Sequence, residues 1–353
     1  MSNGSPQAFP NAEDARIMFT TRGKPGKQSP VPIFRGRGET AFYFNTKMDI
    51  DLDGAPDVYH PPTVREASGC PPALDYLGNA SNPANRPVPG PGQPWIQDNW
   101  PGIVVQNRFP CIQGPQDPAP GFYVSSTALQ DRTYPPCDPR CYVDATAVPY
   151  IALPPPAYRA GGARVGDFAA VYNRLSGKLS FAIFADVGPS RLIGEGSHAL
   201  ALALGIPGGR HGGQTHGITY VSFPGSGNRR PRSISDINAN GDRLFGAWGG
   251  RLRIADLQLN ELLDVVHGAR RWQRLETILR SVQVALREAR DIPSPRSQVQ
   301  SPQIHIIEGL DDACVDLVDF IEQVQKLSAA AISPAQRRSL TAEANQIRTT
   351  ISC

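Results

Sequence analysis

Nowhere in these 353 residues is there a run of 18 apolar side chains, so no segment reads as a membrane-spanning helix. The opening Met1-Ser-Asn-Gly-Ser-Pro has neither a basic start nor an apolar stretch behind it, which argues against a secretory signal in this chain. Histidine and cysteine are sparse at six each, and no second matched Cys/His pair completes a zinc site. Charge is modest at 19% against 40% apolar residues, an ordinary globular balance. What abounds is turn chemistry: 35 prolines and 34 glycines, concentrated before residue 235, favour a loop-rich β domain there.

One stretch organises the chain, Lys178-Leu-Ser-Phe-Ala-Ile-Phe-Ala-Asp-Val-Gly-Pro-Ser-Arg-Leu-Ile-Gly-Glu-Gly-Ser-His-Ala-Leu-Ala-Leu-Ala-Leu204. Leu179 to Ala185 reads as a strand buried on both faces, and Asp186 is the first charge after it. Val187-Gly-Pro-Ser190 turns the chain, and Gly194-Glu195-Gly196 precedes a short Ala/Leu helix starting near Ser197. A carboxylate at a strand exit facing another at a helix entry is geometry that acid/base chemistry uses. The plainer reading makes Asp186 a turn cap and Glu195 a complement to a helix N-terminus.

This segment resembles the catalytic segment of glycoside hydrolase family 75, the chitosanases, whose essential carboxylates are the Asp closing the strand and the Glu of a Gly-Glu-Ala-Ser-like motif. The correspondence falls on Asp186 and Glu195. Lys47-Met-Asp-Ile-Asp-Leu-Asp-Gly-Ala55, Gly121 to Leu129, Tyr142 to Pro154, Val165 to Val171 and Gly217 to Gly227 also resemble bacterial members, so the likeness runs in order from about Phe42 to Gly227. Gly196 and His198 stand where Ala and Ile are usual, which marks the pocket beside Glu195 as different. The resemblance implies a double-psi β-barrel, an extracellular setting and an endo-acting, inverting cleavage of β-1,4 glucosamine links without a cofactor or metal. Burial is expected to make Asp186 the acid, and a helix N-terminus to keep Glu195 an ionised base. The rival from another class is a non-catalytic glycan-binding barrel whose helical tail recruits a partner.

Residues 1–40 read as a mostly irregular leader, 41–253 as the barrel and 254–353 as a helical region. Asp49-Ile-Asp-Leu-Asp-Gly54 mimics the first half of a calcium loop, but its twelfth position is His60 and no helical pattern flanks it. The resemblance implies instead that Asp49, Asp51 and Asp53, with Tyr59, line a substrate cleft. Tyr59, Tyr76, Trp95 and Trp100 offer rings either to sugar faces or to the pinning of long loops. Strands are expected at 102–105, 121–125, 148–153, 167–172, 179–185 and 218–223, with a hairpin over Asn173–Lys178, which together imply a small closed barrel.

His211 and His216 lie among glycines with no supporting carboxylate, so a loop beside the cleft is preferred to a metal site. The arginines of Gly225 to Ser235 are too thin a signal for a nucleic-acid surface. Cys70, Cys111, Cys137 and Cys141 suggest two disulfides in an exported protein, with free thiols and a zinc site as alternatives. Beyond residue 254, apolar residues recur at helical spacing through Leu259, Leu263, Leu275, Leu279 and Leu286, and again from Leu310 to Val324. Ser333, Pro334 and Gln336 spell a helix start with a capping box. These stripes either form a bundle or provide a surface for self-association. From residue 254 on there are 11 basic and 13 acidic residues, leaving 24 and 19 before it, a net +5 for residues 1–253. That surplus sits awkwardly with a polycationic substrate.

Overall fold

A computed structural model describes residues 15–62, 73–266, 279–280, 282–284, 301–326 and 333–351. The strands are β1 (Arg16–Thr20), β2 (Pro32–Arg35), β3 (Phe42–Asp51), β4 (Val105–Gln106), β5 (Phe109–Pro110), β6 (Tyr150–Ala152), β7 (Phe168–Asn173), β8 (Lys178–Asp186), β9 (Glu195–Ser197) and β10 (Gln214–Ser222). The described helices are α1 (Pro155–Gly161), α2 (His198–Ala203), α3 (Ile234–Trp248), α4 (Gly250–Val266), α5 (Ser301–Lys326) and α6 (Pro334–Thr350). None is long and apolar enough to cross a membrane.

The main sheet runs β1-β2-β3-β10-β7-β8-β6-β9, and β9 pairs back onto β3, so six strands close a barrel. Closure leaves those six without a free edge. Two of the six pairings, β3 with β9 and β6 with β8, are parallel. The hairpin expected over Asn173–Lys178 is present, with those two residues as partners at the closed end of β7 and β8. Residues 16–20 and 32–35, expected to be irregular, form β1 and β2, and β2 pairs with β3. The segments 102–105 and 121–125 form only isolated bridges, Ile103 to Ser125 and Ile112 to Tyr123, besides the β4–β5 ribbon.

Phe42, Phe44, Met48, Ile151, Phe184 and Ile218 fill the barrel, each at most 1% exposed. Burying such side chains stabilises by about 1.5–3 kcal/mol apiece before entropy is counted. Phe44 stacks on Tyr220 at 4.8 Å between ring centres. Tyr59, Trp95 and Trp100 are also buried, Trp95 against Trp100 at 4.5 Å and Tyr123 at 5.4 Å. Of the four rings offered to sugar faces by the sequence, only Tyr76 is well exposed, at 51%.

The described residues divide into two compact units: those within 17–35 and 40–242, and those within 1–16, 36–39 and 243–353. The division falls inside α3, upstream of the change in leucine periodicity that suggests a boundary at 253. In the second unit, Leu259, Leu279, Leu317, Phe320, Leu340 and Ile347 share one apolar core. Arg253, fully buried on α4, forms an ion pair with Glu39 and lies over the ring of Trp248 at 4.5 Å. The capping box at the start of α6 is present, Ser333 Oγ accepting from the Gln336 N–H and Gln336 Oε1 from the Ser333 N–H.

Candidate active site

Asp186 and Glu195 flank the same residue of β6. Ala152 is paired with Asp186 on one side and with Glu195 on the other. Their Cα atoms are therefore two ladder spacings apart, about 9–10 Å along the sheet. Glu195 is also in register with Asp49 of β3, and Ser197 with Asp51. The barrel's closing strand thus carries Glu195 to the acids of β3. Six carboxylates, Asp49, Asp51, Asp53, Asp75, Asp186 and Glu195, line one cleft of about 1050 Å³, where Lys27 is the only basic side chain among the described residues of the lining. The cleft is acidic although the barrel region as a whole is basic.

Each catalytic candidate is held locally. Asp186 Oδ1 accepts the Ala128 N–H at 2.8 Å. Gly194, with φ +97°, enters β9 where a Cβ would stand 2.5 Å from the Lys47 carbonyl, so only glycine fits that approach. Gly188 is as tight, since a Cβ there would lie 2.4 Å from Glu195 Oε2. Ser197, fully buried, anchors the segment: its Oγ accepts the Tyr150 and Leu200 N–H groups and donates to the Val148 carbonyl. It is the N-cap of α2, so the helix begins after Glu195 rather than at it.

Asp51, Asp53 and Asp186 bring carboxylate oxygens within 4.8 Å of one another, and Glu195 is outside that trio. Tyr59 donates its hydroxyl to Asp53 at 2.8 Å, and the Tyr150 hydroxyl donates to the Asp53 carbonyl at 2.9 Å. Among the described residues no other group of three or more His, Cys, Asp or Glu side chains converges in this way. Carboxylates so spaced have the donor chemistry for a hard cation. They also repel one another. Burial first and the Asp186 charge second push Asp53 to about 8, and burial with Asp186 and Asp53 raises Asp51 well above its ordinary value.

Burial raises Asp186 to about 6 against the opposing N–H bonds of Ala128 and Val187. Glu195 reaches about 7, through burial and then the charges of Asp49 and Asp186, with Lys47 pulling the other way. The order is opposite to the expectation from sequence, because the hydrogen bonds that favour a carboxylate fall on Asp186 and the helix start does not reach Glu195.

Of the remaining expectations, Asp49 is half-exposed in an ion pair with Lys47, and Tyr59 is a buried wall residue. Asp49 and Asp51 belong to a strand, and His60 is buried with its ring 5.5 Å from Phe122, so no helix-flanked calcium loop forms. His211 lies against Tyr76 at 6.1 Å, and His216 pairs with the Thr215 hydroxyl; neither joins a cluster of metal-ligand type. His198 accepts the Gly209 N–H, while Gly196 fits under Met48 and Leu200, so the two departures from the usual motif tie down a loop and tighten the core. Cys111 and Cys137 form a disulfide, Cys141 is a buried free thiol, and Cys70 lies outside the described residues. Asp75 has no signature in sequence, since it lies in a Pro/Gly/Asn-rich loop without periodicity.

The family model for the fungal chitosanases of glycosyl hydrolase group 75 matches residues 129–247, the stretch that carries both Asp186 and Glu195. No curated protein matches the chain. The match covers about a third of the chain and makes that stretch similar to a family of glycoside hydrolases.

Proposed function

We propose, from that family match and the acidic cleft, that the protein is an endo-acting glycoside hydrolase cutting β-1,4 links between glucosamine units of chitosan. The observation that carries the reading is the meeting of six carboxylates in one cleft around Asp186 and Glu195, on a domain whose net charge has the opposite sign. A chain bearing ammonium groups is drawn to such a cleft by its local field. Asp49, Asp51 and Asp53 face the sugar amines, Asp53 as a neutral carboxyl that offers hydrogen bonds below about pH 8, and Tyr59 acts through Asp53 rather than as a stacking platform.

Cleavage follows an inverting course. Glu195, protonated up to about pH 7, gives its proton to the glycosidic oxygen, and Asp186, ionised above about pH 6, takes a proton from the attacking water. This reverses the roles expected from sequence. Inverting pairs hold their carboxyl groups about 6.5–9.5 Å apart to admit that water, against about 5–5.5 Å in retaining pairs. Two ladder spacings between the Cα atoms, with Glu195 outside the tight trio, support the wider arrangement. The Cys111–Cys137 disulfide supports an oxidising, extracellular setting. The barrel unit, residues 17–35 and 40–242, carries the chemistry, and the helical unit from 243 is a separate bundle. Hydrolysis of a glucosamine hexamer followed by proton NMR tests the mechanism: the first product should carry the inverted anomer, and a retained anomer overturns the water-activation scheme.

A further inference from the structure

The basic surplus of residues 1–253 is not in the catalytic cleft, and part of it gathers in a second groove of about 800 Å³ on the same unit. Arg132, Arg164, Arg229 and Arg230 line it together with the half-buried Tyr158, whose ring packs on the core residue Phe184 at 5.6 Å. All four arginines are exposed, and among the described residues none is in an ion pair. Among the described residues the one carboxylate in the lining is Asp131, whose Oδ1 accepts the Thr133 N–H and hydroxyl. Those bonds, and then Arg230, hold it below its ordinary value.

The arginines are displayed on a fixed scaffold. Asp167, 2% exposed, accepts the backbone N–H groups of Arg164, Gly225 and Gly227, tying together the two segments that carry three of the four arginines. Arg229 has φ +62°, and Gly166 makes room for it, since a Cβ there would lie 2.7 Å from the Arg229 backbone. The groove adjoins the proposed active site: Ala128, Gln130 and Val187 line both hollows, and the Ala128 N–H is the donor to Asp186.

Guanidinium forks match carboxylates in a bidentate way, and the half-buried ring of Tyr158 offers an apolar face to a sugar ring. A row of glucosamine ammonium groups is repelled by such a groove. We propose that the groove is a subsite for an acidic sugar bearing a carboxylate, so that the protein grips glycans in which acidic sugars adjoin the amino sugars of the cleft. Its place beside cleavage rests on the hydrolase reading; the capture of an acidic sugar does not.

Titration calorimetry on the full chain tests it with three probes: a hexasaccharide alternating glucuronate and N-acetylglucosamine, the neutral N-acetylglucosamine hexamer, and inorganic phosphate. The acidic hexamer should bind at least about tenfold more tightly than the neutral one at low salt, and lose that margin as salt rises. The double variant Arg132→Ala/Arg230→Ala should lose about tenfold or more for the acidic hexamer, since hydrogen bonds to charged groups have that size, while neutral binding and chitosan turnover stay within about twofold. The double variant Arg132→Lys/Arg230→Lys should recover only part of the loss. Equal affinity for both hexamers, or an unchanged double variant, overturns the proposal. Phosphate binding as tightly as the acidic hexamer also overturns it, in favour of an isolated anion site. If chitosan is not cut yet acidic-hexamer binding still depends on the arginines, the hydrolase reading falls and the groove stands.

Discussion

Asp53 occupies a place where charge is unwelcome, half-buried between Asp51, Asp186 and the hydroxyl of Tyr59. A carboxyl raised from 3.8 to about 8 stabilises the fold fully below its unfolded value, and that contribution is lost as pH rises through about 8. Asp53→Asn should therefore leave unfolding free energy nearly unchanged at pH 4 and raise it by about 1–3 kcal/mol at pH 8, as a strained site relaxes. Urea unfolding at the two pH values reads this directly, and a loss at pH 8 contradicts the repulsion. Gly188 makes the opposite separation of stability from activity. A methyl group there meets the far end of the Glu195 side chain, which can swing aside at small cost to the fold. Gly188→Ala should keep its melting temperature and lose about tenfold or more in turnover, because small misplacements of a catalytic group are expensive. None of this was readable from the sequence, where Gly188 is one turn glycine among many and Asp53 one of three alternating acids.

Elements with strong local signals were legible. The apolar run 179–185 became β8, its residues increasingly buried up to Asp186, and the Asn173–Lys178 hairpin and the Ser333 capping box formed as their residues direct. β9 was not, because Glu195-Gly-Ser197 has no strand preference of its own and is extended by its partners β3 and β6. The same tertiary control hid the fate of Trp95 and Trp100, whose apolar area is worth more inside loop packing than on a sugar platform. On α4, helical periodicity marked the leucines but gave no hint that Arg253 is buried with Glu39. Removing one partner strands a guanidinium without exposure, so Glu39→Ala should cost about 3–5 kcal/mol in chemical unfolding of the helical unit. A change under about 0.5 kcal/mol contradicts a buried pair.

At the scale of the molecule, net charge and site charge point in opposite directions, and the fold reconciles them. Closing the barrel through β9 gathers the acids of β3, β8 and β9 into one cleft, while arginines from separate loops collect in a neighbouring groove. A count over residues 1–253 averages the two and describes neither. The central claim is that Asp186 and Glu195 perform the cleavage, and its most direct measurement is reducing-end release from chitosan near pH 6.5 by the unaltered protein, Asp186→Asn and Glu195→Gln, each shown to be folded by circular dichroism. Both variants should fall by about 10² or more, the size of a general acid or base contribution. Full activity in either variant, or no release by the unaltered protein, contradicts it.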